Sequence, residues 1–336
     1  MANLNTSTLP DLVAQGEIFW RKKADEVDMK MMNSGIYVVD RFGFQQGDTR
    51  IYSEIDGENY AYNKNEGDQS VEGKSQQGYT KIMTLVTRSI TKTVTREMRD
   101  RNKYPEIARI WTDIGQTVLK RRELDMTHRI TFGTATTYVD RDGITVDISV
   151  GDTLALFSTA HTLRGTATTY RNIVPGNPQI SKGALEGAEN VAVTNTLNQF
   201  GEKMQVRYDI LFTTDDPNTV NTAREFLKST AAISAPNAGV VNVYEGKYRH
   251  EVLPLLATDA YGSPDSTKAK YWGLCASTDT PLRASIEIDL DVKTPAAMTN
   301  AEDILTDDWV YKALGSYGLI GLSGRGIILS QGTGAA

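Results

Sequence analysis

Histidine is the side chain that most often carries acid–base or metal chemistry near neutral pH, and this sequence has three: His128, His161 and His250. None of them falls in an H-x-x-x-H or C-x-x-C pattern, which would place two metal ligands on one face. His161 follows Ser158 by three residues and could act as a general base with a distant aspartate. No spacing singles out that aspartate. The sequence favours a structural His161 and predicts no catalytic and no metal-binding residues.

Two short loops superficially resemble ligand-binding motifs. Residues 321–326, GLSGRG, place Arg325 where a serine elbow needs glycine, and too little chain follows for the helix that a dinucleotide loop must open. Residues 140–143, DRDG, lack the glutamate and the full ligand series of a calcium loop. We interpret the first as a turn in a terminal strand pair and the second as a hairpin tip. The sequence therefore predicts no bound cofactor.

Composition and charge narrow the class of protein. The chain has 336 residues, 40% of them hydrophobic and 23% charged, which is typical of globular proteins and predicts two domains or one large elaborated domain. The formal net charge is -6, so an overall positive field that would attract nucleic acid is absent. Basic residues at 96–103 and 120–123 are mixed with acids and resemble solvated helix ends. A sequence-specific DNA-binding protein is disfavoured.

The sequence also indicates a compartment. Cys275 is the single cysteine, so no disulfide can form within the chain, and a reducing environment is expected. The first residues lack the basic start and apolar run of a signal peptide, and no stretch approaches about 18 consecutive apolar residues. We expect a protein made and kept in cytoplasm, with no membrane partner.

The N-terminal third reads as an arm followed by a projecting hairpin. Residues 11–32 form an amphipathic pattern that predicts a helix packed on another surface. Residues 45–78 hold five glycines among polar residues and too few apolar ones to build a core. Asp56-Gly57 is a hairpin turn signal. Residues 79–95 are rich in Thr, Val and Ile, whose branched Cβ favours extended chain, and predict the return strand.

The clearest helix follows Pro105 and is predicted over 105–127. Its apolar positions recur at helical spacing: Ile107, Ile110, Trp111, Ile114 and Val118. A β-hairpin is then predicted around the 140–143 tip. Together these elements predict a first domain built on one long helix and a sheet.

A second domain is predicted from about residue 182. Ser181 is placed to cap a helix, and Asp216 with Pro217 marks the start of another. Between them, residues 208–212 predict a strand. Residues 284–292 alternate apolar and acidic side chains, as a half-buried strand does. With the apolar final segment, the fold class is α+β, with mixed elements and hairpins.

The order of these parts resembles the major capsid protein of tailed bacteriophages, with the Hong Kong 97 phage fold, and most of all the Mu-like head subunit branch. The segments that carry the resemblance are the arm-like residues 11–32, the hairpin-like 45–92, the lead-in ITKTVTREMRD (90–100) to a long helix, FSTAH (157–161) before a loop and the helix over 182–200, and the strands at 284–288, 307–310 and 317–329. No long charged helical segment precedes the arm, so a fused scaffold is expected to be absent.

The resemblance implies a Hong Kong 97 phage-type fold in five parts: an N-terminal arm (1–44), an E-loop hairpin (45–95), a peripheral (P) domain with a spine helix and sheet (96–182), an axial (A) domain (183–316), and a return strand to the P domain with a C-terminal tail (317–336). Some members of the family cross-link through a lysine of the E-loop. Lys64 and Lys74 lie in that loop, but no motif identifies a cross-linking residue.

The function that the resemblance implies is structural, not enzymatic. Subunits would assemble as pentamers and hexamers into an icosahedral head around double-stranded DNA, in the virion, after assembly in the bacterial cytoplasm. Expected partners are further copies, portal, scaffolding and decoration proteins, and packaged DNA in non-specific contact. The candidate subunit-interface residues are Ile18, Phe19, Trp20, Tyr52, Tyr60, Tyr62, Lys64 and Lys74.

Two alternatives remain at this point. A prokaryotic nanocompartment (encapsulin-like) shell protein would have the same fold and enclose an enzyme cargo in place of a genome. A cytoplasmic enzyme would use Ser158, His161 and an aspartate, and it would lose activity on His161→Ala without a change in assembly. The first is distinguished by what the shell contains, and the second by whether the two side chains meet.

Overall fold

The computed structural model describes residues 9–41, 49–101, 103–230, 241–294 and 307–334. The parts of the predicted arm, hairpin, A domain and tail that fall at 1–8, 42–48, 231–240, 295–306 and 335–336 lie outside these ranges. The helices are α1 (Leu9–Asp25), α2 (Lys30–Asn33), α3 (Arg96–Asp100), α4 (Tyr104–Thr131), α5 (Lys182–Asn195) and α6 (Pro217–Lys228).

The strands follow the same chain order. They are β1 (Val38–Arg41), β2 (Thr49–Gly57), β3 (Ser75–Thr84), β4 (Val86–Val94), β5 (Thr137–Val139), β6 (Thr145–Asp147), β7 (His161–Thr162), β8 (Thr169–Tyr170), β9 (Ile210–Thr213), β10 (Arg249–Val252), β11 (Trp272–Cys275), β12 (Leu282–Lys293), β13 (Trp309–Gly321) and β14 (Ile327–Ser330). Helices and strands are mixed along the chain, as the predicted α+β class requires.

The strands of the described ranges form two larger sheets and three hairpins. The first sheet has the order β1-β12-β13-β4, and the second has the order β10-β9-β11-β14. In the first sheet β1 runs parallel to β12, and the remaining pairs are antiparallel. The hairpins are β2-β3, β5-β6 and β7-β8. The chain therefore folds into two larger sheets that share a hydrophobic core, with a long hairpin outside both of them.

The long helix α4 lies across the first sheet and carries the arm on its other side. Its apolar residues Ile107, Ile114 and Val118 pack with Trp309 and Tyr311 of β13. Pro105 lies in the first turn of the helix, where its missing N–H is not needed. The observed helix reaches Thr131, four residues beyond the predicted end, so it spans the whole sheet.

Helices α5 and α6 cover one face of the second sheet. Both predicted caps are observed: the Ser181 hydroxyl accepts the N–H of Ala184 at 3.2 Å, and the Asp216 carboxylate accepts the N–H of Thr219 at 2.9 Å. The opposite face of the sheet packs on the first sheet and on the end of α4. Cys275 is fully buried there, and burial raises the pKa of its thiol to about 12.

Three local predictions differ from the structure. The arm is not one helix over 11–32. Helix α1 ends at Asp25, residues 26–29 form a bend that we call the arm elbow, and the four-residue α2 follows. The turn predicted at Asp56-Gly57 is not there, since both residues lie within β2 and the hairpin closes farther along. The strand predicted over 79–95 is divided at Leu85, because β3 pairs with β2 while β4 pairs with β13.

The last strands also divide between the sheets. β13 is central in the first sheet, whereas β14 pairs with β11 in the second. The predicted return segment 317–336 therefore starts inside β13 and contributes to both sheets. The chain crosses from one sheet to the other through a short connection that contains Arg325.

Candidate assembly surfaces

The arm helix α1 lies directly against α4 of its own subunit. The rings of Phe19 and Trp111 are 6.2 Å apart, and Trp20 is only 9% exposed within the same cluster. Gly16 permits this approach, because a Cβ there would lie 2.8 Å from the Trp111 ring. Ile18, in contrast, is 71% exposed. Of the three arm residues predicted for the interface, Ile18 is the one whose side chain the subunit leaves open.

The β2-β3 hairpin has one face on its own subunit and one face in solvent. Side chains alternate along a strand, so Ile51 and Ile55 share the face that the directly paired Ile82 also occupies. These three side chains are 69%, 72% and 58% exposed. On the opposite face, Glu54 and Met83 are buried. The hairpin therefore presents an apolar face that nothing in the described subunit covers.

The hairpin tip extends beyond the paired strands, between Gly57 and Ser75. Its large side chains include Tyr60 and Tyr62, which are exposed, as are Lys64 and Lys74. These four predicted interface residues are thus accessible. A tip with so little burial gains order only when another surface covers it.

Tyr52 differs from the other predicted hairpin residues because it belongs to the hairpin base. Its hydroxyl donates to the Asp40 carboxylate at 3.1 Å, and the Arg283 guanidinium lies 5.7 Å from its ring. Burial raises the pKa of Tyr52 above its usual value. The side chain therefore connects the hairpin to the edge of the first sheet.

Polar contacts hold the inner side of the hairpin to the rest of the subunit. The Tyr79 and Thr162 hydroxyls are 2.8 Å apart, and the Lys81 ammonium lies 2.8 Å from the Asp147 carboxylate. Nearer the tip, the backbone N–H of Asn59 donates to Glu202 at 2.9 Å. The strands are consequently anchored, while the residues beyond them project.

His161 does not meet Ser158. The imidazole is fully buried, with Nδ1 2.8 Å from the Asp152 carboxylate and Nε2 3.3 Å from the carbonyl oxygen of Leu156. The Ser158 hydroxyl instead accepts the N–H of Ala160 at 3.3 Å. Both ring nitrogens are engaged elsewhere, so the geometry gives His161 no hydroxyl to activate.

The DRDG tip is the centre of an ion-pair network that the sequence did not predict. The Asp140 carboxylate lies 3.0 Å from the Arg88 guanidinium and also binds Arg121 of α4. Burial by itself raises the pKa of Asp140, but the N–H of Asp142 and the Arg121 charge lower it below its usual value. The signal in the sequence was two aspartates two residues apart, but their partners are distant in the chain.

A cavity of about 700 Å³ lies between the arm elbow, α4 and the loop around Tyr261. Glu123 lines it, is 7% exposed, and accepts the N–H of Met31 at 2.5 Å. Burial raises the pKa of Glu123 to about 7. The Glu123 carboxylate of α4 therefore binds Met31, in α2 just after the arm elbow, and titrates near neutral pH.

Neither a metal cluster nor a membrane-spanning helix occurs within the described ranges. No group of three or more His, Cys, Asp or Glu side chains there could hold a metal ion. No helix in those ranges is long and apolar enough to cross a membrane.

Comparison with known proteins gives matches at the level of structure. A chain of the structure described as Gordonia phage Cozz matches with a TM-score of 0.51 at 11% identity, over 93% of this chain and 90% of that chain. A chain of the capsid of Ralstonia phage GP4 matches with a TM-score of 0.50 at 12% identity, over 88% of this chain and 87% of that chain. No family model matches the sequence, and no curated protein sequence matches it.

These matches cover nearly the whole of both chains and confirm the predicted fold. At 11% and 12% identity they carry no residue-level correspondence. The Mu-like branch and the bounds of the five parts stay predictions, as do the interface roles of the eight candidate residues.

Proposed function

We propose that this chain is a major capsid protein, a structural subunit that assembles as pentamers and hexamers into the icosahedral head of a tailed bacteriophage. The observation that carries the proposal is the fold shared, over 88% of the chain, with a chain of the capsid of Ralstonia phage GP4. The exposed hairpin supports it, because a subunit that acts alone has no use for an uncovered apolar face.

The hairpin supplies the contact that this function needs. Its apolar face, formed by Ile51, Ile55 and Ile82, is buried when the hairpin lies on a neighbouring copy. Such a contact is heterologous, because the hairpin of one copy meets a different surface of the next. Heterologous contacts whose rotation closes produce rings, and five or six copies per ring build a closed shell. Burial on the neighbour then also orders the exposed tip.

The proposal extends to partners and location. The shell encloses double-stranded DNA with non-specific contacts, and the subunit charge of -6 suits a container, because tight phosphate binding needs many Lys and Arg side chains on one surface. Portal, scaffolding and decoration proteins complete the particle. The protein belongs to the virion and assembles in the host cytoplasm.

The two alternatives are weaker. A nanocompartment shell is not favoured, because the matched structures are named for phages. A purified shell distinguishes the two, since it contains either DNA or an enzyme. The enzyme alternative required a base beside Ser158, and His161 is directed toward Asp152 and Leu156 instead.

The test compares the intact chain with a variant that lacks the hairpin tip, residues 58–74, replaced by a two-residue turn that joins β2 to β3. Negative-stain microscopy and light scattering should show rings or closed shells for the intact chain. The shortened chain should remain folded and soluble, with unchanged circular dichroism, and should form no stable shells. An intact chain that stays monomeric, even with phage-lysate factors, contradicts the function. A shortened chain that assembles normally contradicts a role of the tip, residues 58–74, in assembly.

A further inference from the structure

The connection between β13 and β14, which is predicted as a turn, is fixed on both sides of Arg325. A Cβ on Gly324 would lie 2.3 Å from Nε2 of His161, so only glycine fits under that ring. Gly326 has a φ of +80°, and a Cβ there would lie 2.2 Å from the carbonyl oxygen of Asp279. The Gly324 carbonyl oxygen also accepts from the Asn172 amide at 2.9 Å. The backbone on both sides of Arg325 is therefore held in place, and this sets the direction in which its side chain leaves the chain.

That direction leads to the end of β2 nearest the hairpin tip. Arg325 Nη2 lies 2.8 Å from Glu54 Oε1, and Nη1 lies 2.7 Å from Asp56 Oδ2. The two acidic residues are two positions apart on β2, so their side chains share one face. The side chains of Arg325 and Glu54 are 11% and 7% exposed. One guanidinium therefore bridges two carboxylates away from solvent, as its planar fork of donors permits.

Gln199 completes the arrangement from a second direction. Its side-chain Nε2 donates to Glu54 Oε2 at 2.8 Å, and its backbone N–H donates to Asp56 Oδ2 at 3.0 Å. Gly78 on β3 leaves the necessary room, because a Cβ there would lie 2.8 Å from both the Glu54 carboxylate and the Gln199 amide. We call Glu54, Asp56, Gln199 and Arg325 the hairpin anchor.

The anchor joins the hairpin to the second sheet. Gln199 lies in the connection from α5 to β9, and Arg325 lies just before β14. Two carboxylates and one cation leave a net negative charge, which the two Gln199 donors stabilise. Without the cation, Glu54 and Asp56 would face each other with their charge uncompensated in a poorly hydrated place, and this end of the hairpin would move away from the second sheet.

We propose that Arg325 is the positioning residue of the hairpin: it fixes the direction in which β2-β3 projects from the second sheet, so that the apolar face meets a neighbouring copy in one orientation. The inference rests on the proposed function and deepens it. A hairpin free to swing would lose orientational entropy on docking, and assembly would be weaker and less regular.

The experiment measures hairpin direction in the unassembled subunit and shell yield separately. Spin labels are placed at Ser75→Cys, at the far end of the hairpin, and at Val193→Cys on α5, both exposed positions. The native Cys275 is fully buried and does not react. Pulsed electron resonance then gives the distribution of distances between the labels.

Three substitutions are compared with the labelled parent. Arg325→Gln should broaden or displace the distance distribution and lower the shell yield about tenfold, since an uncompensated buried pair of carboxylates is strongly unfavourable. Arg325→Lys keeps the charge without the fork and should give an intermediate result. The matched control is Arg121→Gln, which removes a side chain of 12% exposure that also bridges aspartates, three in its case, but does not touch the β2-β3 hairpin. It should lower thermal stability and leave the label distances unchanged.

An unchanged distance distribution in Arg325→Gln overturns the proposal, as does a change of equal size in Arg121→Gln. If Arg325→Gln does not fold, Glu54→Gln and Arg325→Lys are judged by the same two measurements. If the parent protein forms no shells, the proposed function fails, but the label distances still decide whether Arg325 sets the direction of the hairpin.

Discussion

The carbonyl oxygen of Trp20 and the α-carbon of Gly115 are so close that a Cβ on Gly115 would lie 2.5 Å from that oxygen. The arm helix α1 therefore meets α4 backbone to backbone at this point. Gly16 makes the second close approach, beneath the Trp111 ring. The arm is a docked part of the subunit along this length, and its contact depends on glycine in both helices.

Gly115→Ala should loosen the arm. The added methyl group cannot fit without a shift of α1, and overpacking of this kind costs about 1–3 kcal/mol, against a helix-propensity gain of about 1 kcal/mol. Thermal unfolding should show a lower midpoint, and trypsin should cut faster after Arg21 and Lys22. Gly183→Ala is the control, because nothing lies within 4 Å of a Cβ there. Slow cleavage in both variants would show that the arm is not held at Gly115.

His161→Ala should destabilise the subunit. The Asp152 carboxylate, 4% exposed, would keep the N–H donors of Leu154 and Thr162 but lose its closest partner, and a hydrogen bond to a charged group contributes about 1.5–3 kcal/mol. Ser158→Ala removes only the hydroxyl that accepts the N–H of Ala160 and should cost about 1 kcal/mol or less. Chemical denaturation compares the two variants. Equal and negligible effects of the two substitutions would contradict the structural role of His161.

Stability should depend on the protonation of His128. Burial, and then the Lys268 charge, lower the pKa of His128 to about 4 in the folded protein, from 6.5 in the unfolded chain. The unfolded chain therefore binds more protons between these values, and this histidine reduces stability as pH falls from 6.5 toward 4. At roughly 1.4 kcal/mol per pKa unit the effect is about 3 kcal/mol. Denaturation at a series of pH values checks this. Between pH 6.5 and 4, the free energy of unfolding should fall by about 3 kcal/mol less in His128→Phe than in the parent.

Glu123 should act in the opposite direction. Its pKa of about 7 in the folded protein exceeds the ordinary 4.5, so the folded state binds the extra proton. The stabilising contribution is complete below pH 4.5 and is lost as pH rises through 7. Glu123→Gln keeps an oxygen that can accept the Met31 N–H but cannot ionise. The stability difference between variant and parent should grow in favour of the variant from pH 5 to 8, and a constant difference would contradict the assignment.

Substitution of the apolar hairpin face should affect assembly more than folding. Ile55→Ser combined with Ile82→Ser changes two side chains that are exposed in the subunit, so thermal stability should shift only slightly. Shell yield by light scattering should fall, because the buried apolar area in the proposed contact is reduced. Val193→Ser, at a 53% exposed position on α5, should leave the yield unchanged. Equal yields from all the variants would exclude this face as a contact.

The sequence predicted those features that depend on neighbours along the chain. Ser181 and Asp216 cap their helices as expected, because a cap is a bond between residues three apart. The long α4 follows from the spacing of Ile107 and Ile114, and the α+β class follows from the mixture of periodicities.

Other features could not be predicted because both partners must be known. The Asp56-Gly57 turn signal was overridden by the anchor, in which Asp56 binds Arg325 and remains in a strand. The division of 79–95 at Leu85 depends on which strand pairs with which sheet. Local preference is worth about 1 kcal/mol at such positions, less than the ion pairs and strand pairing that compete with it.

By itself, the sequence determined most of the elements, the arm as an amphipathic helix, the hairpin as a segment with too little apolar content to fold alone, and the order of parts that resembles a capsid subunit. Only the tertiary structure decided which face of the hairpin is open, that Trp20 is buried while Ile18 is exposed, and that Arg325 reaches Glu54. The physical reason is range: helix caps and periodicity act over a few residues, whereas burial and buried ion pairs join residues that only the folded chain brings together.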